Sequence, residues 1–118
     1  MTHKPQYEIS QSFYSGKEAD FEPLKAILPD NIEEYMFMGK HRCYSLTNTV
    51  MVYSYKHVTN REYLNVSASG RFFVSVDSRT SRLPAFEPIG LSEGIKCIIK
   101  NAIDFHKESV MLAKYTNQ

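Results

Sequence analysis

The chain has 118 residues, of which 42% are hydrophobic and 23% are charged, and its formal net charge at pH 7 is +1. This composition is that of a folded protein rather than a disordered one, and no run of apolar residues is long enough to predict a membrane-spanning helix. Two cysteines are too few for a disulfide framework, so we expect free thiols, a cytoplasmic protein and a single domain over residues 1–118.

Two elements are predicted near the start of the chain. After a loose tail over residues 1–6, apolar and polar residues alternate over Tyr7–Phe13, which predicts a strand. A short helix is predicted next. Its N-cap is Ser15 or Asp20, and with Asp20 as the cap Pro23 falls in the first turn, where a missing N–H group has no partner to lose.

An antiparallel meander is predicted over residues 42–77, where apolar residues recur at every second position and turn residues interrupt the pattern three times. Its four strands are Arg42–Leu46, Thr49–Lys56, Glu62–Ala68 and Arg71–Asp77. A further strand is predicted over Tyr35–Met38. Residues 78–90 are predicted to form a loop, because Pro84 and Pro88 do not fit a central strand.

The last predicted element is a long helix from Ser92 to about Lys114. Its apolar residues cover about half of the circumference, which is more than one sheet face needs. Ile98, Phe105 and Leu112 form a stripe at seven-residue spacing, which is either part of the contact with a curved sheet or a homodimer contact. The predicted fold class is α+β: an antiparallel meander sheet of four to six strands, with a short N-terminal helix and a long C-terminal helix packed on one face.

The order of these elements resembles a known type of module. Four meandering strands followed by a long helix that opens at IGLSEGIKCII are similar to the single-strand-binding cofactor or Whirly type of module. The resemblance rests on the order of the elements, and it implies a dimer whose helices pair.

Strict alternation assigns the side chains of the meander to two faces. We expect the long helix to cover an aliphatic face made of Val50, Val52, Leu64, Val66, Ala68, Phe72, Val74 and Val76. The opposite face is aromatic and polar and consists of Met51, Tyr53, Tyr55, His57, Tyr63, Asn65, Ser67, Arg71, Phe73 and Ser75. Aromatic rings among cations suit single-stranded nucleic acid, because bases stack on the rings and the cations neutralise phosphates.

A single-stranded nucleic-acid site is therefore predicted on the aromatic face. Its residues are Arg42, Tyr53, Tyr55, Lys56, Arg61, Tyr63, Arg71, Phe73, Arg79 and Arg82. Two other interpretations stay open. The first predicted helix could cover the same face in ordinary packing, because tyrosine is also a good strand residue, or the face could bind another protein.

Charge is distributed unevenly along the chain. Residues 17–34 hold two basic and six acidic side chains, whereas residues 40–82 hold seven basic and two acidic ones. The basic region favours a polyanionic partner. The alternative is a small inhibitor or immunity-type protein, in which the acidic segment 18–34 imitates phosphate and blocks a protein target.

No enzymatic motif stands out, and we expect a binding protein that uses neither a cofactor nor a metal. The repeated Lys-His pairs leave one catalytic option, a ribonuclease-like acid–base pair of His41 and His57, which requires a strand register that brings the two rings together. His41 and Cys43 offer only two donors to a metal, fewer than a protein site uses.

Overall fold

Six antiparallel strands, each hydrogen-bonded to the next along the chain, close into a barrel in the computed structural model, which describes residues 5–14, 19–78 and 83–116. The strands are β1 Tyr7–Phe13, β2 Tyr35–Tyr44, β3 Thr49–His57, β4 Tyr63–Ser67, β5 Phe72–Asp77 and β6 Pro84–Ile89. The helices are α1 Glu22–Ile27 and α2 Leu91–Thr116, and a 3₁₀ turn covers Ile32–Glu34. The predicted α+β class, with a meander, a short N-terminal helix and a long C-terminal helix, is confirmed. Most of the predicted tail and Ser15 lie outside the described residues.

A bulge in β2 joins two predicted strands into one. The register between β2 and β3 shifts between Phe37 and Gly39. Gly39 has a φ of +117°, and a Cβ there would lie 2.7 Å from the ring of Tyr14, so only glycine fits this position. Because side chains alternate along a strand, the extra residue turns Tyr35 and Phe37 to the outside of the barrel, whereas Cys43 faces the inside.

The prediction of a loop over residues 78–90 was wrong for its second half, which forms β6. This strand pairs with β5 along its length but with β1 only at Ala85 and Phe86. Pro84 and Pro88 lie outside that two-residue contact, so neither proline removes a hydrogen bond to β1. Because β1 and β6 do meet, the sheet closes instead of ending in two edges.

Two hydrophobic cores result, one inside the barrel and one outside it. The inner core consists of Tyr7, Cys43, Val52, Phe73 and Phe86. The outer core lies between the strands and the helices, because a helix can cover only the outer side of a closed barrel. It consists of Leu24, Tyr35, Tyr55, Leu64, Val66 and Phe72.

The predicted aliphatic and aromatic faces are both wrong, since each is divided between the two cores. Tyr53 and Tyr55 lie opposite Val66 and Leu64 and share their outer side, whereas Val52 points inward. Alternation shows which side chains of one strand share a face, but the relation between two strands depends on the register across their turn. That register is not visible in either strand alone.

The first half of α2 is fixed to the barrel by close packing and by one polar contact. At Gly94 the helix lies so near β5 that a Cβ would be 2.4 Å from the ring of Phe72. About two turns later, the buried Asn101 donates a hydrogen bond to the Tyr35 hydroxyl over 2.9 Å and accepts one from Asn60 over 2.6 Å. The long helix therefore lies across β5 and above the end of β2.

The predicted dimer stripe faces the barrel for most of its length. Ile98 packs against the outer core, and the ring of Phe105 meets the ring of His57 edge-on at 6.2 Å. Leu112 is 59% exposed. Ile98 and Phe105 are thus partly covered by the barrel while Leu112 is exposed, and a homodimer contact along this helix stays a prediction.

Substituting Gly94→Ala tests the close crossing of α2 over β5. We expect the free energy of unfolding to fall by about 1–3 kcal/mol, because overpacking the Phe72 ring outweighs a helix-propensity gain of about 1 kcal/mol. Urea unfolding measures the change. The matched control is Gly90→Ala, where the nearest atom to an added Cβ is 3.9 Å away. This variant should lose clearly less stability than Gly94→Ala, because its cost is limited to that of alanine as the N-cap of α2. Equal stabilities of the two variants would contradict the crossing.

Candidate nucleic-acid interface

Tyr55, at the centre of the predicted site, is sealed from solvent. Its side chain is fully buried, and its hydroxyl donates a hydrogen bond to the backbone oxygen of Asp20 over 2.7 Å. The ring of Phe21 stacks on it with centroids 5.7 Å apart. Burial and the nearby Asp20 charge raise the pKa of Tyr55 far above its usual value. The segment that leads into α1 thus occupies the place that a base would need.

The other predicted aromatic residues do not join Tyr53 on one open face. Tyr63 lies opposite Lys56, whose Nζ is 5.7 Å from the centre of its ring. Phe73 belongs to the inner core, although the guanidinium carbon of Arg71 lies 5.6 Å from its ring. The prediction that Tyr53, Tyr55, Tyr63 and Phe73 share one face is therefore wrong.

The remaining predicted cations are also apart. Arg61 is exposed in the turn between β3 and β4, where its φ is 66°. Arg79 and Arg82 lie outside the described residues. Of the described residues of the predicted site, Arg42 and Tyr53 share one surface on β2 and β3, and Lys56 and Tyr63 share another on β3 and β4. The first of these surfaces is continuous with β1.

That surface is the outer side of β1, β2 and β3, and we call it the β1–β3 face. The register places its nine side chains in three rows, Glu8–Tyr44–Thr49, Gln11–Arg42–Met51 and Phe13–Lys40–Tyr53. All nine are half-buried or exposed, because they alternate with residues such as Cys43 and Val52 that fill the barrel. These nine side chains are less buried than Tyr55, which the segment leading into α1 covers.

Phe13 contacts two cations on this face. The Lys40 Nζ and the Arg42 guanidinium carbon are each 5.9 Å from the centre of its ring. Both distances are within the range of cation–π contacts, which hold the two side chains beside the ring. Arg42 Nη1 also donates a hydrogen bond to Gln11 Oε1 over 3.3 Å. The result is a ring with two positive charges beside it, both contributed by β2.

Two tyrosines at opposite ends of the face keep neutral hydroxyl groups. The Tyr44 hydroxyl donates to Glu8 Oε2 over 3.2 Å, and this hydrogen bond and the carboxylate charge raise its pKa. Partial burial, followed by the charge of Asp20, raises the pKa of Tyr53. Both hydroxyls therefore stay protonated at neutral pH and do not repel phosphate. Glu8 is the only acid in the three rows.

The acidic segment of the alternative prediction is only partly a surface. Glu22, Asp30 and Glu33 are exposed, whereas Asp20 is half-buried. Glu34 is buried and accepts hydrogen bonds from Asn31 over 2.6 Å and from the His57 ring over 3.2 Å, so it serves the fold. Glu18 lies outside the described residues.

The two histidines of the catalytic option are far apart. His41 lies opposite Val52 of β3. His57 lies five residues beyond Val52, which corresponds to about 17 Å, and its side chain points to the other side of the strand. His41 contacts the Ser12 hydroxyl at 2.8 Å, and burial lowers its pKa. Among the described residues, no group of three or more histidine, cysteine, aspartate or glutamate side chains is placed to hold a metal.

The predicted site omitted Phe13, Lys40 and Tyr44, and it also left out Met51, which had been assigned to the aromatic face. The signal was present in the alternation of Lys40, Arg42 and Tyr44 with two inward residues along β2. Their partner Phe13 could not have been assigned, because β1 is separated from β2 by more than twenty residues.

Comparison with known proteins gives no relative from which a function could be transferred. No protein-family model, curated protein or solved structure matches this chain. Among the described helices, none is both long enough and apolar enough to cross a membrane. The candidate interface therefore rests on its own geometry.

The two cysteines should react very differently with a thiol reagent. Burial raises the pKa of the Cys43 thiol to about 12, so at pH 8 only about one molecule in 10⁴ carries the reactive thiolate there. Cys97 is half-exposed. We expect one fast-reacting thiol in the native protein, two in denaturant, and no fast-reacting thiol in native Cys97→Ser. Fast labelling of that variant would contradict the inward position of Cys43.

Proposed function

We propose that this protein binds single-stranded nucleic acid on its β1–β3 face and catalyses no reaction there. The observation that carries the proposal is the ring of Phe13, which is half-buried on the β1–β3 face with Lys40 and Arg42 of β2 beside it. A ring flanked by cations suits a ligand that alternates flat bases with phosphates. Tyr44 and Tyr53 extend the same surface at its two ends.

The geometry favours a single strand over a duplex. Bases can stack on Phe13 and Tyr53 only if their faces are accessible, and in a duplex those faces are occupied by the neighbouring base pairs. Neighbouring strands are about 4.8 Å apart, so Phe13 and Tyr53 are separated by about 10 Å with Lys40 between them. A nucleic-acid strand that crosses the three β-strands would meet a ring, a cation and a second ring in turn.

The contacts predict weak dependence on base sequence. Stacking accepts every base, and ammonium and guanidinium groups at this face are placed to meet phosphate oxygens. The neutral hydroxyl of Tyr53 adds a hydrogen-bond donor without adding negative charge, whereas the Tyr44 hydroxyl already donates to Glu8. Free thiols at Cys43 and Cys97 support a cytoplasmic setting, in which nucleic acid is available.

Two substitutions separate the stacking and phosphate contributions. Phe13→Ala should weaken binding by about 5- to 150-fold, which corresponds to the 1–3 kcal/mol of a stacked base, and should leave the salt dependence unchanged. Arg42→Ala should reduce the slope of log affinity against log salt by about 0.7, the value for one phosphate of a single strand. Titration of a labelled oligonucleotide at several salt concentrations measures both, and tyrosine fluorescence gives a second signal because the chain has no tryptophan.

Arg71→Ala is the matched control, since Arg71 also lies over a phenylalanine ring but away from the β1–β3 face. It should leave both affinity and salt slope near the wild-type values. Wild-type protein that binds no oligonucleotide at low salt would refute the proposal. Binding that Arg71→Ala abolishes and Arg42→Ala leaves intact would refute the choice of face.

A further inference from the structure

The strands β4 and β5 separate soon after the turn that joins them. Their register holds only the pairs Val66–Phe72 and Asn65–Phe73, whereas β5 and β6 stay together over six residue pairs. The Asn65 side chain closes the short ladder, because its amide donates to the backbone oxygen of Phe73 over 3.4 Å. From Val74 onward, β5 has no strand partner on its β4 side in the described part of the chain.

The prolines of β6 indicate which way the backbone groups of β5 point. Pro88 lies opposite Phe73, and a proline nitrogen cannot donate a hydrogen bond. The same holds for Pro84 opposite Asp77. These are therefore non-hydrogen-bonded pairs of the antiparallel ladder, and Ser75, midway between them, belongs to a third such pair. The N–H and C=O groups of Ser75 consequently point away from β6 and toward β4.

The turn between β4 and β5 gives the same orientation. The Ser67 N–H group donates to the Arg71 oxygen over 2.9 Å, which makes this pair a hydrogen-bonded one. Hydrogen-bonded positions recur at every second residue of an antiparallel strand, so those on the β4 side of β5 include Ser75.

The partner that the register assigns to Ser75 is Tyr63, and its backbone groups also face the gap. The His57 N–H group donates to the Glu62 oxygen over 2.8 Å, so the next residue, Tyr63, turns its own groups away from β3 and toward β5. The pair of Tyr63 and Ser75 nevertheless does not form. Both residues therefore direct backbone hydrogen-bonding groups into one gap, and such groups need a partner.

The gap continues into a cleft of about 210 Å³ between the two strands and the first half of α2. Its apolar lining includes Leu64, Phe72, Val74 and Ile89. Val74 is 42% exposed, and Ser75 is exposed although it lies opposite the buried Phe86, so neither is covered from the β4 side. The cleft is several times larger than the about 30 Å³ that one water molecule occupies in the liquid, and it has room for an aliphatic side chain.

This edge of β5 lacks the features that prevent strand pairing elsewhere in the barrel. Proteins protect exposed edges with proline, lysine or a bulge. On the side of β6 that faces β1, the positions beyond the two-residue contact carry Pro84 and Pro88. Over Val74–Val76, β5 has no proline and no charged residue. The β4 side of β5 is thus open to pairing, whereas the β1 side of β6 is not.

An extended peptide is the partner that matches these features. It offers alternating N–H and C=O groups at the spacing of a strand, which is how extended segments add to exposed sheet edges. Paired antiparallel with β5, it would place one residue against Ser75 and the side chain of the next beside Val74 in the cleft. Asp77 is exposed at the far end of the edge, so its charge favours a lysine or arginine of the peptide opposite it.

We propose that β5 binds an extended, proline-free segment of a partner protein along its β4 side, with a leucine or isoleucine in the cleft and a basic residue opposite Asp77. The proposal is independent of nucleic-acid binding, because the β1–β3 face and the cleft share no residue.

Selection from a displayed library of random heptapeptides tests the pairing. We expect enriched peptides that alternate apolar and polar residues, contain no proline and bind the wild type with a dissociation constant below about 100 μM. Methylation of the backbone nitrogens of such a peptide, one at a time, should weaken binding at least about tenfold at alternate positions, because only every second N–H group faces β5.

Two protein variants locate the binding on β5. Val74→Lys places a charge at the edge of the cleft, and Ser75→Pro removes the N–H group that faces the gap without removing a hydrogen bond to β6. Each should weaken binding of the selected peptides at least about tenfold. Val110→Lys is the matched control, since Val110 is also 42% exposed but lies in the second half of α2, outside the cleft, and it should leave the affinity unchanged. Circular dichroism should show that all three variants remain folded.

Failure of the wild type to enrich proline-free alternating peptides would overturn the proposal. Peptides that bind Val74→Lys and Ser75→Pro as tightly as the wild type would overturn it as well. A wild-type dimer in sedimentation velocity that both variants dissociate would instead assign the edge to β5 of a second copy, and would also overturn the proposal.

Discussion

The contact between β1 and β6 decides how every other surface of the molecule is used. It consists of two residue pairs, Tyr7 with Phe86 and Glu8 with Ala85, yet it closes the sheet. In a closed barrel the inward side chains of each strand fill the interior, whereas its outward side chains are either covered by another element or exposed. The inner side here takes a mixed aromatic and small-residue core. The outer side is then left to the two helices and to whatever the protein binds.

The helices cover only part of the outer side of the barrel, and the candidate site lies on the part that they leave exposed. Phe21 and α1 lie over Tyr55, and the first half of α2 lies over Phe72 near Gly94. Neither described helix covers β1, the part of β2 from Lys40 onward or the start of β3, so Phe13 and Arg42 remain accessible there. The polar contacts of the helices, such as the buried pair of Asn101 and Tyr35, hold this division in place.

Particular residues show why the site was predicted only in part. Arg42 and Tyr53 were found because alternation along one strand is a property of consecutive residues, and both do point outward. Tyr55 was assigned to an open face because nothing in β3 itself reveals that Phe21, more than thirty positions earlier, stacks on its ring. Phe13 was missed for the same reason, since its neighbours Lys40 and Arg42 come from a strand that is distant in the chain.

Local pattern by itself determined the α+β class, the meander, the strand over Tyr7–Phe13, and a long last helix, because propensity, period and turn residues act over a few positions. Tertiary structure decided closure of the barrel, the strand at Pro84–Ile89, and the grouping of side chains into inner, outer and exposed sets. It also decided that Ile98 faces the barrel and Ile99 faces away from it. Each of these depends on register or on contacts between distant segments, which a run of neighbouring residues does not encode.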